Sequence, residues 1–546
     1  MKRKELQIYS VLILWIFVSR VYAADSTVFD ITSLVRGENI RQHLNVLAHD
    51  SLMGRGTGSV GESKAAVYIR EQLKQMGILP GYRHSYFQSV PLHSSKPLAE
   101  SRFEVFIRQD TLNFKLNEDY VLLKSGEQTF VPQPLPLVFV GYGIVAPEYD
   151  YNDYQALDVR GKIVVYLSGE PLSQTFGPDA AVYGLAASKE RIAVSRGARG
   201  SILISLHDTT TAHWQRRVTK YVFPDVNLAY SPTSHLSAMV DPQAASVLFK
   251  DAGFSFAQVL CMHKDKSLLS FPLETRIAFR GRFSQKEFIS QNVLGRLPGD
   301  HPKYRDQTLI VSAHYDHLGI GPSVKGDSIY NGAVDNALGS AAMLELARAF
   351  KTIRKNRRTI LFLFTTGEEK GLLGARYYLD HPITPLYKTV ANVNIDGLAV
   401  FDRFKSVIGV GHQLSTLGQT LEWMSDQYGY RIDPIPDPFI AKESFSRSDQ
   451  IEFAKAGIPS MLIMEGLNYV HLTPEQGLKK HLDWMQNIYH TPFDDLQQPI
   501  HFNAVQQHAR FLAAFIWTLA NDPESPKWYP STPFRNARLQ TIAEKR

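Results

Sequence analysis

The spacing of apolar residues changes character three times along the chain. Between residues 36 and 80, Leu44, Val46 and Leu47, and then Ala66, Tyr68, Ile69 and Leu73, recur at helical spacing and predict two helices. Gly77 and Pro80-Gly81 end the second of them. The glycine-rich loop between, SLMGRGTGS, has no strand before it and is read as a turn, not a phosphate cradle. Residues 85–125 alternate apolar and polar side chains, as in YFQSVPL and RFEVFIRQ, and predict strands. From about 130 come short β runs, PLPLVFVGYGI, GKIVVYLSGEP and GSILISLHD, with one helix, AASKERIAVSRGAR, before the last. They predict a β-rich insert ending near residue 275 that carries no dense cluster of acids and histidines.

From residue 290 the rhythm becomes strand, loop, helix. Predicted strands are NVLGRLPG, TLIVSAH, TILFLFTT, VANVNID, FKSVIGVG and IPSMLIME. Predicted helices are NALGSAAMLELARAFKTI, KGLLGARYYLDH, QLSTLGQTLEWMSDQYG and NAVQQHARFLAAFIWTLAN. Such alternation argues an α/β fold with a mostly parallel central sheet covered by helices on both faces. Ligands of such sheets sit beyond the carboxyl ends of the strands. The stretch after Asp522, rich in proline and charge, is expected to lie over the surface.

Three strands finish in metal-compatible side chains. TLIVSAH ends in His314 with Asp316 two residues on; TILFLFTT leads to Glu368 and Glu369; VANVNID ends in Asp396. A glycine-containing loop supplies Asp335, which could cap the following helix or bridge two cations, and a turn-rich loop supplies His490. His314 can bind metal while Asp316 orients it from behind. Adjacent His317 is read as a bystander. Two neighbouring carboxylates at a strand end cannot both be buried unpaired. Beside a divalent ion one can ligate while the other takes a proton from water. The mixed nitrogen and oxygen donors suit two Zn2+ ions, with cobalt or manganese able to serve by the same chemistry.

Composition adds bounds. The 546 residues, 44% apolar and 21% charged, are enough for two or three domains with a sizeable core. The formal charge of +6 is not gathered into a basic stripe, so no nucleic-acid partner is expected. Lys2, Arg3 and Lys4 before an apolar run from Ile8 to Val18, then Val21-Tyr22-Ala23, predict a secretory signal peptide over 1–23 and a periplasmic or extracellular destination. That run is too short for a stable membrane anchor. Cys261 is the single cysteine, so no disulfide closes within the chain, and it is read as a buried small hydrophobe.

Together LNVLAHDSLMGRGTGS, FVGYGIVAPEYDYNDYQALDVRGKIVVYLSGEP, SAHYDHLG, NGAVDNALGSA, TTGEEKGLLGA, NIDGL, SDQIEFAKAGIPS and YHTPFDDL resemble the secreted di-zinc aminopeptidase/glutamate-carboxypeptidase-like metallopeptidases, a family that includes bacterial leucyl aminopeptidases, with a protease-associated domain insert. The resemblance implies an N-terminal peptidase part over 24–125, the insert over 130–275, the catalytic domain over 285–525 and a tail over 526–546. It implies that His314 and Asp396 hold one metal, Glu369 and His490 the other, and that Asp335 bridges them. Glu368 would be the general base, Asp316 would support from outside the metal shell, and Tyr469 would polarise a peptide carbonyl. Where relatives often have histidine the chain has Gln450, which bears on local packing or substrate contact and not on the metals. The resemblance implies an exopeptidase and favours an aminopeptidase, while spacing alone leaves open whether the free amino or carboxyl end of a peptide is recognised, with Glu443, Arg447, Asp449 and Glu465 as candidates for holding it. Other amides, and a binding protein of the same fold, are the alternatives.

Overall fold

Along the chain, helices α1 (Gly37–Leu47) and α2 (Val60–Gln75) are followed by strands β1 (Phe87–Pro97), β2 (Asp225–Leu228), β3 (Phe283–Leu297) and β4 (Thr308–His314). Then come α3 (Leu338–Ile353), β5 (Thr359–Thr365), α4 (Leu373–Asp380), β6 (Thr389–Asn394), β7 (Ser406–Val410), α5 (Leu417–Tyr428), β8 (Ser460–Glu465), α6 (Pro474–Asn487) and α7 (Phe502–Asn521). This computed structural model describes residues 31–545 except 127–128, 156, 174–175, 177–182, 207–210, 232–234, 437–444 and 446. The signal segment read at 1–23 and the candidate Glu443 lie outside the described residues.

The main sheet runs β2-β1-β3-β5-β4-β6-β8-β7, with the short strand Arg431–Ile432 at its far edge. Its centre is parallel, β5 with β4, β4 with β6, and β6 with β8, and so is the short edge strand Arg431–Ile432 with β7. β3 and β7 join this block antiparallel, so the sheet is mixed, not mostly parallel as the βα rhythm predicts. Alternation along a strand reports which faces are buried, not the direction of its neighbour. All seven residues of β4 and of β5 are buried, as expected of strands covered on both faces. α3 and α7 share one covering layer, with the Phe350 ring stacked on Trp517 at 5.8 Å. In register, His314 on β4 faces Thr365 on β5, and Ser312 faces Asn394 on β6. Three neighbouring parallel strands thus end at one level, and whatever follows them meets in one place.

A second, eight-stranded sheet holds the insert. It contains the expected strands between 131 and 280, but also Arg102–Ile107, Asp110–Phe114 and Tyr120–Lys124, so the insert begins some way before residue 130. Meanwhile β2, from the middle of the insert, pairs with β1 in the main sheet. Cys261 is exposed, not buried. The stretch after Asp522 is anchored: Trp528 is buried and its indole N–H donates to Gly457 O at 2.9 Å, and Arg535–Ala543 is helical. α6 is an element the sequence reading left as loop. Its signal is a capping box, Thr473 with Gln476, and a proline in the first turn. Among the described residues no helix is long and apolar enough to cross a membrane.

Candidate metal centre

Beyond the ends of β4, β5 and β6 the predicted side chains meet. His314 Nε2 stands 3.3 Å from Asp396 Oδ1 and 3.3 Å from Asp335 Oδ1. The other oxygen of Asp335, Oδ2, is 3.2 Å from His490 Nε2, which is 3.1 Å from Glu369 Oε2. Asp335 thus turns one oxygen to each of two donor groups: His314, Asp335 and Asp396 on one side, and His317, Asp335, Glu369 and His490 on the other. A tetrahedral ion with bonds of about 2.0–2.1 Å holds its donors roughly 3.3 Å apart, close to these separations. His490 Nε2 and Glu369 Oε1 are buried and, among the described residues, lack hydrogen-bond partners, as donors converging on a cation would. The donor set therefore fits metal.

The charges agree. Burial opposes charging the His314 imidazole, yet Glu368 and Asp396 beside it hold it protonated far above its usual range. His490 is likewise raised to about 9, against burial, by Glu369 and Asp335. Glu369 is held ionised, well below the usual carboxylate range, because His490 and His317 outweigh the burial that opposes its charge. The cluster calls for positive charge, which protons or cations can supply.

The backbone around the donors is fixed from behind. Asp335 does not cap α3; Asn336 receives the Gly339 N–H at 3.1 Å instead, which leaves the Asp335 carboxylate for the cluster. Asp494 accepts the N–H groups of Val334 and Asp335 at 2.9 and 3.0 Å. Asp316 Oδ1 lies 3.7 Å from His314 Nδ1 and accepts the Glu368 N–H at 3.1 Å, while its Oδ2 accepts from the Thr57 hydroxyl at 3.0 Å. Asp316 belongs to neither donor group.

The loop SLMGRGTGS is more than a turn. The guanidinium of Arg55, 1% exposed, donates to Tyr315 O at 2.7 Å, Leu47 O at 2.7 Å, Asn331 O at 2.5 Å and Gly332 O at 2.9 Å. It clamps the His314 loop to the Asp335 loop. Burial lowers it to about 10, so it stays charged at neutral pH. Close by, buried Glu62 accepts Gly58 N–H at 2.6 Å and the Ser290 hydroxyl at 2.8 Å. Burial, helped by the charge of Asp316, pushes it up to about 8.

Glu368 lines a cavity of about 1210 Å³ next to the cluster. Burial, then the charges of Asp396, Glu369 and Asp449, push its carboxyl well above the usual range despite His314. One wall of the cavity is apolar, built from Phe401, Ile408, Val410, Leu462, Met464 and Trp484. Arg217, Tyr221 and Phe223 of the insert also line the cavity. Arg447 and Glu465 line it too, whereas Asp449 is buried and takes the Thr365 hydroxyl at 2.5 Å. Gln450 is a packing residue, accepting from Asn394 at 2.9 Å and donating to Phe445 O at 3.0 Å.

Two expectations need correction. Tyr469 is not part of the cavity wall: its hydroxyl is 2.7 Å from His481 Nε2 and its ring lies against Gly477. Tyr489 lines the cavity beside the cluster, stacked on His490 with centroids 3.8 Å apart. Burial and the carboxylates of Asp335 and Glu369 keep its phenol protonated. Its position directly before His490 in YHTP was the available signal. His317 is no bystander, since it stands inside the second donor group.

Fold and site together define an α/β protein with two adjoining groups of potential metal ligands at the carboxyl ends of its central strands. Residues 292–516 match the model described as Peptidase family M28, and this stretch carries the whole donor cluster. Over 239 residues, 44% of this chain and 46% of the other, it is 27% identical to Aminopeptidase YwaD of Bacillus subtilis (strain 168). Over 144 residues, 26% of this chain, it is 32% identical to the vacuolar membrane protease of Saccharomyces cerevisiae (strain ATCC 204508 / S288c), of which it covers 14%. The chain thus spans less than half the length of these curated relatives. The solved aminopeptidase from Aneurinibacillus sp. strain AM-1 shares its fold across 91% of this chain and 97% of its own, with a TM-score of 0.53 and 20% identity.

Proposed function

We propose that the protein is an exported di-zinc aminopeptidase that removes amino-terminal residues with bulky apolar side chains. One observation carries the reading: Asp335 divides its two oxygens between two donor groups, each spaced for an ion. His314 and Asp396 would hold one ion and Glu369 and His490 the other, and together the pair would supply Lewis acidity toward water and the peptide carbonyl. Glu368, with its raised proton affinity, takes the proton of the attacking water and passes it to the departing amine. Asp316 fixes Glu368 through the backbone N–H, and the protonated Tyr489 phenol donates to the carbonyl oxygen as charge develops there. The apolar wall around Met464 and Trp484 receives the side chain. The Bacillus subtilis relative's name supports the amino end. Arg447, lining the same cavity, favours the second reading, a carboxypeptidase. Export rests on the segment 1–23, and the insert is read as a protease-associated domain.

The test is hydrolysis of one short peptide free at both ends, N-blocked or C-blocked, by the zinc-loaded protein lacking 1–23. Resistance of the N-blocked form alone is expected. Resistance of the C-blocked form alone turns the assignment to a carboxypeptidase. Cleavage of none, with two metals bound, sinks the peptidase reading. Run in parallel, Glu368→Gln should keep its metal and lose turnover by about 10²–10⁴-fold, the range for general acid–base catalysis.

A further inference from the structure

His317 is fully buried, and neither ring nitrogen has a hydrogen-bond partner among the described residues. Burying an imidazole that gains no hydrogen bond at either nitrogen is costly, so packing alone does not account for it. The ring is nonetheless held in place. Its backbone N–H donates to Arg55 O at 3.2 Å, and Gly332 lies so close that a Cβ there would fall 2.4 Å from the ring. It meets the His490 ring edge-on at 5.6 Å. Held this way, Nδ1 stands 2.7 Å from Glu369 Oε1 and 3.9 Å from Asp335 Oδ2. The 2.7 Å approach is not aligned as a hydrogen bond, and Glu369 Oε1 is itself without one. The two atoms stand at ion-pair distance, neither has a hydrogen bond among the described residues, and with Asp335 and His490 they form one group of potential ligand atoms.

We propose that His317 is a fourth protein ligand of the Glu369/His490 metal position, binding through Nδ1. This rests on the two-metal reading above and deepens it. It makes the centre unequal. One position has four protein donors, His317, Asp335, Glu369 and His490, and approaches the closed set of a structural zinc site. The other has three, His314, Asp335 and Asp396, and keeps a coordination place open. The four-donor position fills first and holds its ion; the three-donor position fills second and exchanges.

The test is stepwise reconstitution of the metal-free protein with 113Cd2+, followed by cadmium NMR on material with 15N-labelled histidine. In the wild type, three imidazole nitrogens should couple to cadmium, two of them to the ion bound first. In His317→Asn, two should couple, and affinity for the first equivalent should fall more than about 100-fold, beyond the roughly 10–100-fold expected for an outer-shell partner. Two bound ions with only two coupled imidazoles in the wild type overturn the assignment of His317 while leaving the two-metal reading intact, and need no variant to fold. No bound ion at all would instead remove the two-metal reading.

Discussion

At the scale of single residues, the candidate centre has two tiers. The donors themselves were legible because each closes an apolar strand or opens a loop beside one, and strand ends gather ligands in α/β sheets. His314, Glu368, Glu369 and Asp396 needed only that rule, and the structure brings them together. Arg55, Asp494 and Glu62 were not legible, because their importance lies in whom they reach. Arg55 touches carbonyls more than 250 positions away in sequence, and no local period encodes such a pairing. Glu62 makes a prediction of its own. In the fold it keeps its proton up to about pH 8, whereas an unfolded chain releases it near the ordinary carboxylate value of 4.5. Stability from this group is therefore complete below the unfolded pKa and is lost as pH rises toward 8. Glu62→Gln removes that dependence. Between pH 5 and 8 the wild type should lose stability relative to the variant, with a slope approaching roughly 1.4 kcal/mol per pH unit. Chemical denaturation of both proteins across the series checks it, and parallel pH curves would refute it.

Elements were legible where period and length agreed. Buried β4, β5 and β6 and the long apolar helices α3 and α7 follow from their patterns. α6 was missed because its apolar residues are sparse. It matters all the same, since Trp484 and Met485 on it line the cavity. Alternation predicts Arg102–Ile107 to Tyr120–Lys124 as strands but does not name a partner, and they join the insert's sheet although they fall within the 24–125 peptidase part that the resemblance implies. A buried guanidinium is one of the joints between the α1–α2 loop and the two donor loops, and it reaches both of them. Arg55→Met should cost about 3–5 kcal/mol, the range for removing one member of a buried charged arrangement. The loss should appear in chemical denaturation, and metal content should fall with it as the His314 and Asp335 loops come apart. A variant of unchanged stability would show that the clamp is dispensable.

For the whole molecule, the cavity is a joint product of both sheets. The main sheet and α6 supply the apolar wall; the insert adds Arg217, Tyr221 and Phe223 to the lining. Met464→Glu places a charge in that wall and should lower kcat/KM on a leucine-type amide by at least about tenfold, since even one methylene of misfit in such a pocket is worth that much. Turnover of the same amide with an amino-terminal lysine should suffer less. Equal losses on both would mean that the wall does not read the side chain. Composition and order foretold two β-containing regions, but not that both would line one cavity.

The path of the chain through β2 has a consequence for how such molecules diversify. Residues 225–228 leave the insert, border the catalytic sheet beside Phe87–Pro97, and return. A cassette exchanged between relatives by a pair of crossovers, one before residue 102 and one after 280, would carry off an edge strand of the recipient's other half. Unless the incoming piece brings a matching four-residue ribbon, the bared backbone of Phe87–Pro97 becomes a template for self-association. Recombination is then restricted to donors that already share this stitch, and the two halves are inherited as one unit.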